Sequence, residues 1–407
     1  MQRMGAISLT MACMMCAGGP AFAAGPATFA DDVAFLRDHV EVLVLSGDGG
    51  KAQVAVCPAY QGRVMTSTAR GTEGSSFGWV NRDLIASGEI LPHINVYGGE
   101  DRFWMGPEGG QFAIFFPKDA PFDLEHWQTP AVIDTEPFEL AAQSPDSLRF
   151  ARRALLPNAS GTWFDVQVDR TIRLLGRGQT ESLLGVACPE SVDLVAYASE
   201  NVLTNKGADP WKKETGLLSI WILGMYNPSP DTTVVVPFEQ GPESECGPVV
   251  NDAYFGKVPA ERLIVGDGVL FFRGDAQYRS KIGLAPKRAK PILGSYAAEA
   301  GVLSLVQYSK PEGAEDYVNS MWEHQEEPYC GDVVNSYNDS FLAPGNEGLG
   351  AFYELETSSP AAALAPNASI THMHRTYHFQ GDEVGLDAIA KATLGVGLKD
   401  IKGAFAR

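Results

Sequence analysis

The sequence predicts an all-β chain, on two observations. Short runs rich in Val, Ile, Phe and Tyr recur almost to the C-terminus, each broken by Gly, Pro, Asn or Asp; regularly spaced strands and turns of this kind build sandwiches and barrels. Helical periodicity is convincing only near the end, where Leu386, Ile389, Ala390 and Leu394 share one face before Gly395 and Gly397 interrupt it.

Taken in order, residues 1–23 read as a secretory signal: Arg3, a Met/Ala/Leu-rich centre and the small-residue site Ala21-Phe22-Ala23. Asp31 to Asp38 is a short helical candidate with acids in its first turn. Val40–Leu45 and Gln53–Val56 flank the turn Gly47-Asp48-Gly49-Gly50 as a hairpin, and Gly62–Ser67 adds a third strand. Further strands are expected at Gln111–Phe116, Val166–Leu175, Leu217–Leu223, Thr232–Pro237 and Leu263–Phe272. No repeat or low-complexity linker divides the chain. Residues 24–407 are therefore expected to form one domain with short helices near its two ends.

Composition narrows the function. A net charge of -19 opposes binding to nucleic acid, whose phosphates require clustered Lys and Arg. No later run reaches the length of a membrane-spanning helix, so no membrane insertion is expected. The leader predicts a secreted or periplasmic protein, where Cys57, Cys188, Cys246 and Cys330 fit either two disulfides or four buried thiols. A neutral mono- or oligosaccharide suits this charge balance. Neither a cofactor nor a metal is expected, and the oligomeric state is open.

Several stretches carry candidate chemistry. Leu91–Gly110, LPHINVYGGEDRFWMGPEGG, gathers His93, Glu100, Asp101, Arg102, Trp104 and Glu108 among glycines. A Trp face stacks on sugar C–H groups while carboxylates and Arg bind hydroxyls; packing of Trp104 and pairing of Arg102 with an acid is the structural alternative. Arg63 is a further hydroxyl-binding candidate. Asn251-Asp252 and Asn338-Asp339 suit hydroxyl binding, or calcium, or turn formation alone. Arg279 and Lys281 form a cationic pair suited to a carboxylate or developing oxyanion.

Gly350–Phe379 is the richest segment, with Glu354 and Glu356 on one strand face and His372, His374 and His378 on another. His372 and His378 lie about 20 Å apart along a straight strand, which excludes a single metal bound by all three.

This last segment resembles galactose mutarotases and related aldose 1-epimerases through Leu355-Glu356-Thr357, Pro360, Leu364-Ala365-Pro366-Asn367-Ala368 and the final strand. The GGEDRFWMGPEGG, KETGLLSIWILG, VNDAYFGKVP and YELETSSPAAAL blocks further resemble an uncharacterised branch of mutarotase-like exported bacterial proteins, the DUF6786 type. The resemblance implies an antiparallel β-supersandwich of galactose mutarotase type, with Glu356 at the position of the catalytic base. Where that family carries a histidine, this chain reads Gly216-Leu217-Leu218-Ser219-Ile220-Trp221.

The expected function is acid/base proton transfer near the anomeric centre of a sugar or glycoside, with epimerase, lyase or hydrolase outcomes open. Glu356 is the expected base, and His93, then His374, the candidate acids. The alternatives are a non-catalytic carbohydrate-binding protein and a periplasmic structural component.

Overall fold

The computed structural model describes residues 27–340 and 348–406. The signal-peptide reading of residues 1–23 lies outside them. Every sheet pairing between strands is antiparallel.

The chain enters through the helix Phe29–Arg37, whose start is set by Thr28 and Asp31 capping each other's backbone N–H groups. The strands Leu43–Gly47, Ala52–Cys57 and Arg63–Thr68 then form a three-stranded sheet with the expected hairpin turn. A ten-stranded sheet and a five-stranded sheet follow.

The ten-stranded sheet has apolar side chains on both faces. Val234, Val236, Leu293 and Val306 meet Ile282, Leu284, Val334 and Leu355 of the five-stranded sheet. On the other face Val235, Leu303, Leu305 and Phe379 are covered by the helices Glu383–Leu394 and Leu398–Gly403. Burying Leu386, Ile389, Ala390 and Leu394 there stabilises the contact by roughly 1.5–3 kcal/mol per large side chain. Asp382 caps the first of these helices, and Gly395, at φ 77°, ends it in the left-handed conformation that glycine adopts without strain. Ile389→Asp would break this layer.

Three expectations need correction. Gln111–Phe116 is not a strand: its apolar run is a loop whose Ala113, Ile114, Phe115 and Phe116 are buried in the core. Leu263–Phe272 divides into Leu263–Val265 and Val269–Arg273, with Gly268 at φ 73° between them. Short helices also form mid-chain, at Arg82–Ser87, Arg177–Leu184 and Glu243–Cys246. The four described cysteines are free thiols, Cys57 and Cys188 buried and Cys330 exposed.

Candidate functional site

Strand alternation decides which side chains of the five-stranded sheet can meet a ligand. Its order is Ser280–Leu284, Val334–Asn338, Tyr353–Ser358, Ser219–Tyr226 and Arg102–Gly106. Leu355 and Thr357 face the ten-stranded sheet, so Glu354 and Glu356 face the opposite way. The register aligns Glu356 with Asn335 on one side and Leu223 on the other, and Leu223 with Arg102. Trp104 pairs with Trp221 on the same face. Lys281 joins from the edge strand.

These groups converge. Glu356 is fully enclosed; its Oε2 accepts the Trp221 indole N–H at 2.9 Å and the Lys281 ammonium at 2.9 Å. Its Oε1 has no N–H or hydroxyl donor. The Lys281 ammonium also lies 4.8 Å from the Trp221 ring centroid and 5.5 Å from that of Tyr254, so it gains from aromatic faces as well as from charge. Burial works to lower the Lys281 pKa, yet Glu356 and Glu354 outweigh this and hold it above the ordinary lysine value. Burial, reinforced by repulsion from Glu356, drives Glu354 well above the usual carboxylate range.

Three loops close over the face. The first follows Gly106 and carries Glu108, whose backbone N–H donates to Ser320 Oγ and whose Oε1 accepts the Trp322 indole N–H at 3.2 Å. Burial pushes the Glu108 carboxyl up to about 7, against the attraction of Lys281. The second loop brings Trp322, packed edge-on against Phe116. The third brings Tyr254, whose hydroxyl donates to Asp332 and receives Asn335 Nδ2 at 3.2 Å. Glu108, Trp322, Tyr254 and Asp332 all keep part of their surface open to solvent. Open depressions of about 370 Å³, beside Phe238 and Leu394, and about 360 Å³, beside Pro286 and Lys310, lie away from this cluster.

Of the sequence candidates, the structure gathers Glu356, Glu108, Arg102 and Trp104 here. Arg102 bonds Asp134 Oδ1 at 3.0 Å and lies over the Trp104 ring at 4.4 Å. Arg63 backs the same pair, donating to Gly98 O and Gln61 Oε1. Asn251 reaches the rim by donating to Asp332 at 3.0 Å, while Asp252 pairs with the exposed Lys257. Arg279 donates to the Tyr337 hydroxyl and lies over the half-exposed Phe255 ring.

Other candidates point elsewhere. Glu100 is buried in the inter-sheet core by Ser67, Tyr197 and His378, and Asp101 by Arg170. Asn338 holds a turn through Ala276 N–H and Tyr278 O. His374 requires a correction: its Nδ1 meets Thr357 Oγ1 at 2.9 Å between the sheets, so it lies on the opposite side of the strand from the Glu356 carboxylate. His93 sits on a partly exposed loop with Nδ1 on the Trp127 carbonyl. Neither histidine contacts Glu356.

Sequence reading did not single out Trp221, Tyr254, Trp322 or Asp332 as members of this cluster. The available signal for Trp221 was its place in the segment where the related family carries a histidine. An indole N–H only donates, so Trp221 can orient Glu356 but cannot exchange a proton with a substrate.

The sequence pattern of DUF6786, described as a family of unknown function, matches residues 27–405. The chain belongs to the DUF6786 family. Among solved structures, this DUF6786 chain is similar to an Escherichia coli K12 protein provisionally assigned as an aldose 1-epimerase, at 12% identity and a TM-score of 0.50, over 83% of this chain and 99% of the other. A galactose mutarotase-like protein from Lactobacillus casei ATCC 334 aligns at 9% identity and a TM-score of 0.46, over 84% of this chain and 100% of the other. No protein of curated function matches the sequence. The DUF6786 chain thus shares the antiparallel sandwich fold of that Escherichia coli structure; at this identity the likeness carries the fold alone.

Proposed function

We propose that the protein is an exported carbohydrate-active protein that moves protons at or next to the anomeric centre of a sugar. Glu356 is the base and Glu108 the acid. The observation that carries this reading is the Glu356–Lys281 pair on one face of the five-stranded sheet, with Glu108 held on a covering loop within electrostatic reach of both. Glu108 titrates near 7, where a group can both hold and release a proton.

In ring opening, Glu356 takes the proton of the anomeric hydroxyl as the C1–O5 bond breaks and C1 becomes a carbonyl. Glu108 gives its proton to the ring oxygen. Closure on either face reverses both transfers and restores both carboxyls. Lys281 bonds Glu356 Oε2, and the unpartnered indole N–H of Trp104 suits a sugar hydroxyl. The same acid and base could cleave a glycoside. Export rests on the leader-like first 23 residues.

One observation favours a second reading, a carbohydrate-binding protein without turnover: Glu356 is sealed beneath Lys281 and the loops. Polarimetry of galactose and glucose mutarotation, with wild type, Glu356→Gln and Glu108→Gln, separates the two. A wild-type acceleration lost by about 100-fold or more in Glu356→Gln supports catalysis. Equal rates with and without protein end the mutarotase reading, and saturable sugar binding by calorimetry then supports the second.

A further inference from the structure

Glu354 and Glu356 stand two residues apart on one strand face, both enclosed, and burial, to which repulsion from Glu356 adds, raises the Glu354 carboxyl. Two carboxylates only accept, so a hydrogen bond between the pair requires a proton on one of them. Glu356 Oε2 is already committed to Trp221 and Lys281, while Oε1 has no donor. A protonated Glu354, on the same strand face, is suited to supply one.

We propose that Glu354 and Glu356 act as one dyad holding a single proton, with Lys281 as its fixed counter-ion and Glu354 as the partner that positions the base. The inference deepens the Glu356 reading and takes its catalytic meaning from it. Lys281 faces both carboxyls and Arg102 faces Glu354, itself offset by Asp134. Asp332, held by Tyr254 and Asn251, also faces Lys281. Glu108 approaches from the covering loop, Tyr254 lies beside Glu356 and Tyr337 beside Glu354. Lys281 neutralises one carboxylate, and like charges enclosed on one strand face disfavour ionising the second. When Glu356 takes a proton from a hydroxyl, the dyad passes from one proton to two. Releasing one resets it.

The test is an infrared titration of the carboxyl C=O band, which needs no sugar and therefore stands apart from whether mutarotation is found. The double variant Glu108→Gln/Asp332→Asn serves as the background, removing the other carboxyls of the cluster that burial raises. The expected result is one dyad proton persisting at about pH 8 and lost in both Glu354→Gln and Glu356→Gln, because either acid alone beside Lys281 ionises. A band that survives in Glu356→Gln overturns the dyad, since Glu354 would then be protonated by burial alone. Absence of any carboxyl proton at that pH in the background protein overturns it too, and this readout holds even if a dyad variant fails to fold.

Discussion

The Lys281 ammonium lies 2.9 Å from Glu356 Oε2, with 12% of its side chain exposed and none of its partner's. This is a buried ion pair reached from a strand edge, so its two halves are unequal. Lys281 has a route to solvent and Glu356 does not. Removing the lysine would leave a charge with no water to accept it, which typically costs about 3–5 kcal/mol.

Lys281→Met is therefore expected to lower the unfolding free energy by about 3 kcal/mol at neutral pH. Urea denaturation checks this. Loss of a surface pair would instead show a change of about 1 kcal/mol or less. Lys281→Arg should recover only part of the loss, because a planar guanidinium does not reproduce the position of the ammonium between the Trp221 and Tyr254 rings.

Glu108 predicts a pH limb. Burial raises its carboxyl to about 7, and an acid must be protonated to act, so the rate should fall roughly tenfold per unit above about pH 7. In Glu108→Gln the limb should disappear together with most of the rate. Mutarotation rates across pH 5 to 9 measure both. The same shift has a stability consequence of fixed sign. The folded chain holds this proton more tightly than the unfolded one, so Glu108's contribution is complete below the ordinary carboxyl value and is lost as pH rises through about 7.

How much of this was legible in the sequence depends on the range over which each feature is set. That Glu354 and Glu356 share a face follows from the two-residue period of a strand and needs no tertiary information. The Leu386-Ile389-Ala390-Leu394 face was visible for the same local reason. Lys281 was legible only as half of a cationic pair with Arg279, because its place beside Glu356 depends on the pairing of strands 75 residues apart.

The glycine-rich loop misled for a physical reason. Gly98 and Gly99 sit at φ 92° and 106°, and a Cβ on either would press on the Trp79 carbonyl or on Arg63 and Val64. Their freedom serves close chain packing there. A bend at Glu100 lets both Glu100 and Asp101 reach the inter-sheet core before the strand begins, leaving Arg102, Trp104 and Glu108 for the opposite side.

The layer behind Glu356 makes a prediction of opposite sign. Thr357 Oγ1 meets His372 Nε2 at 2.8 Å and His374 Nδ1 at 2.9 Å, so two buried imidazoles share one hydroxyl. Burial lowers His372 to about 3 and His374 to about 4, and both are neutral in the fold. Once unfolded they would bind protons near the ordinary histidine value of 6.5. The unfolded chain therefore gains protons first as pH falls, and stability drains away from about pH 6.5 down towards 4. Substituting both by Gln keeps hydrogen-bonding groups beside Thr357 but removes the titration. The double variant should be less stable than wild type at pH 7, with the gap narrowing steadily between pH 6.5 and 4.5. Urea unfolding of the two proteins at matched pH isolates this difference from Glu108 and Glu354, whose raised carboxyls are common to both. A gap that stays constant over that window would mean that the imidazoles are not held neutral between the sheets.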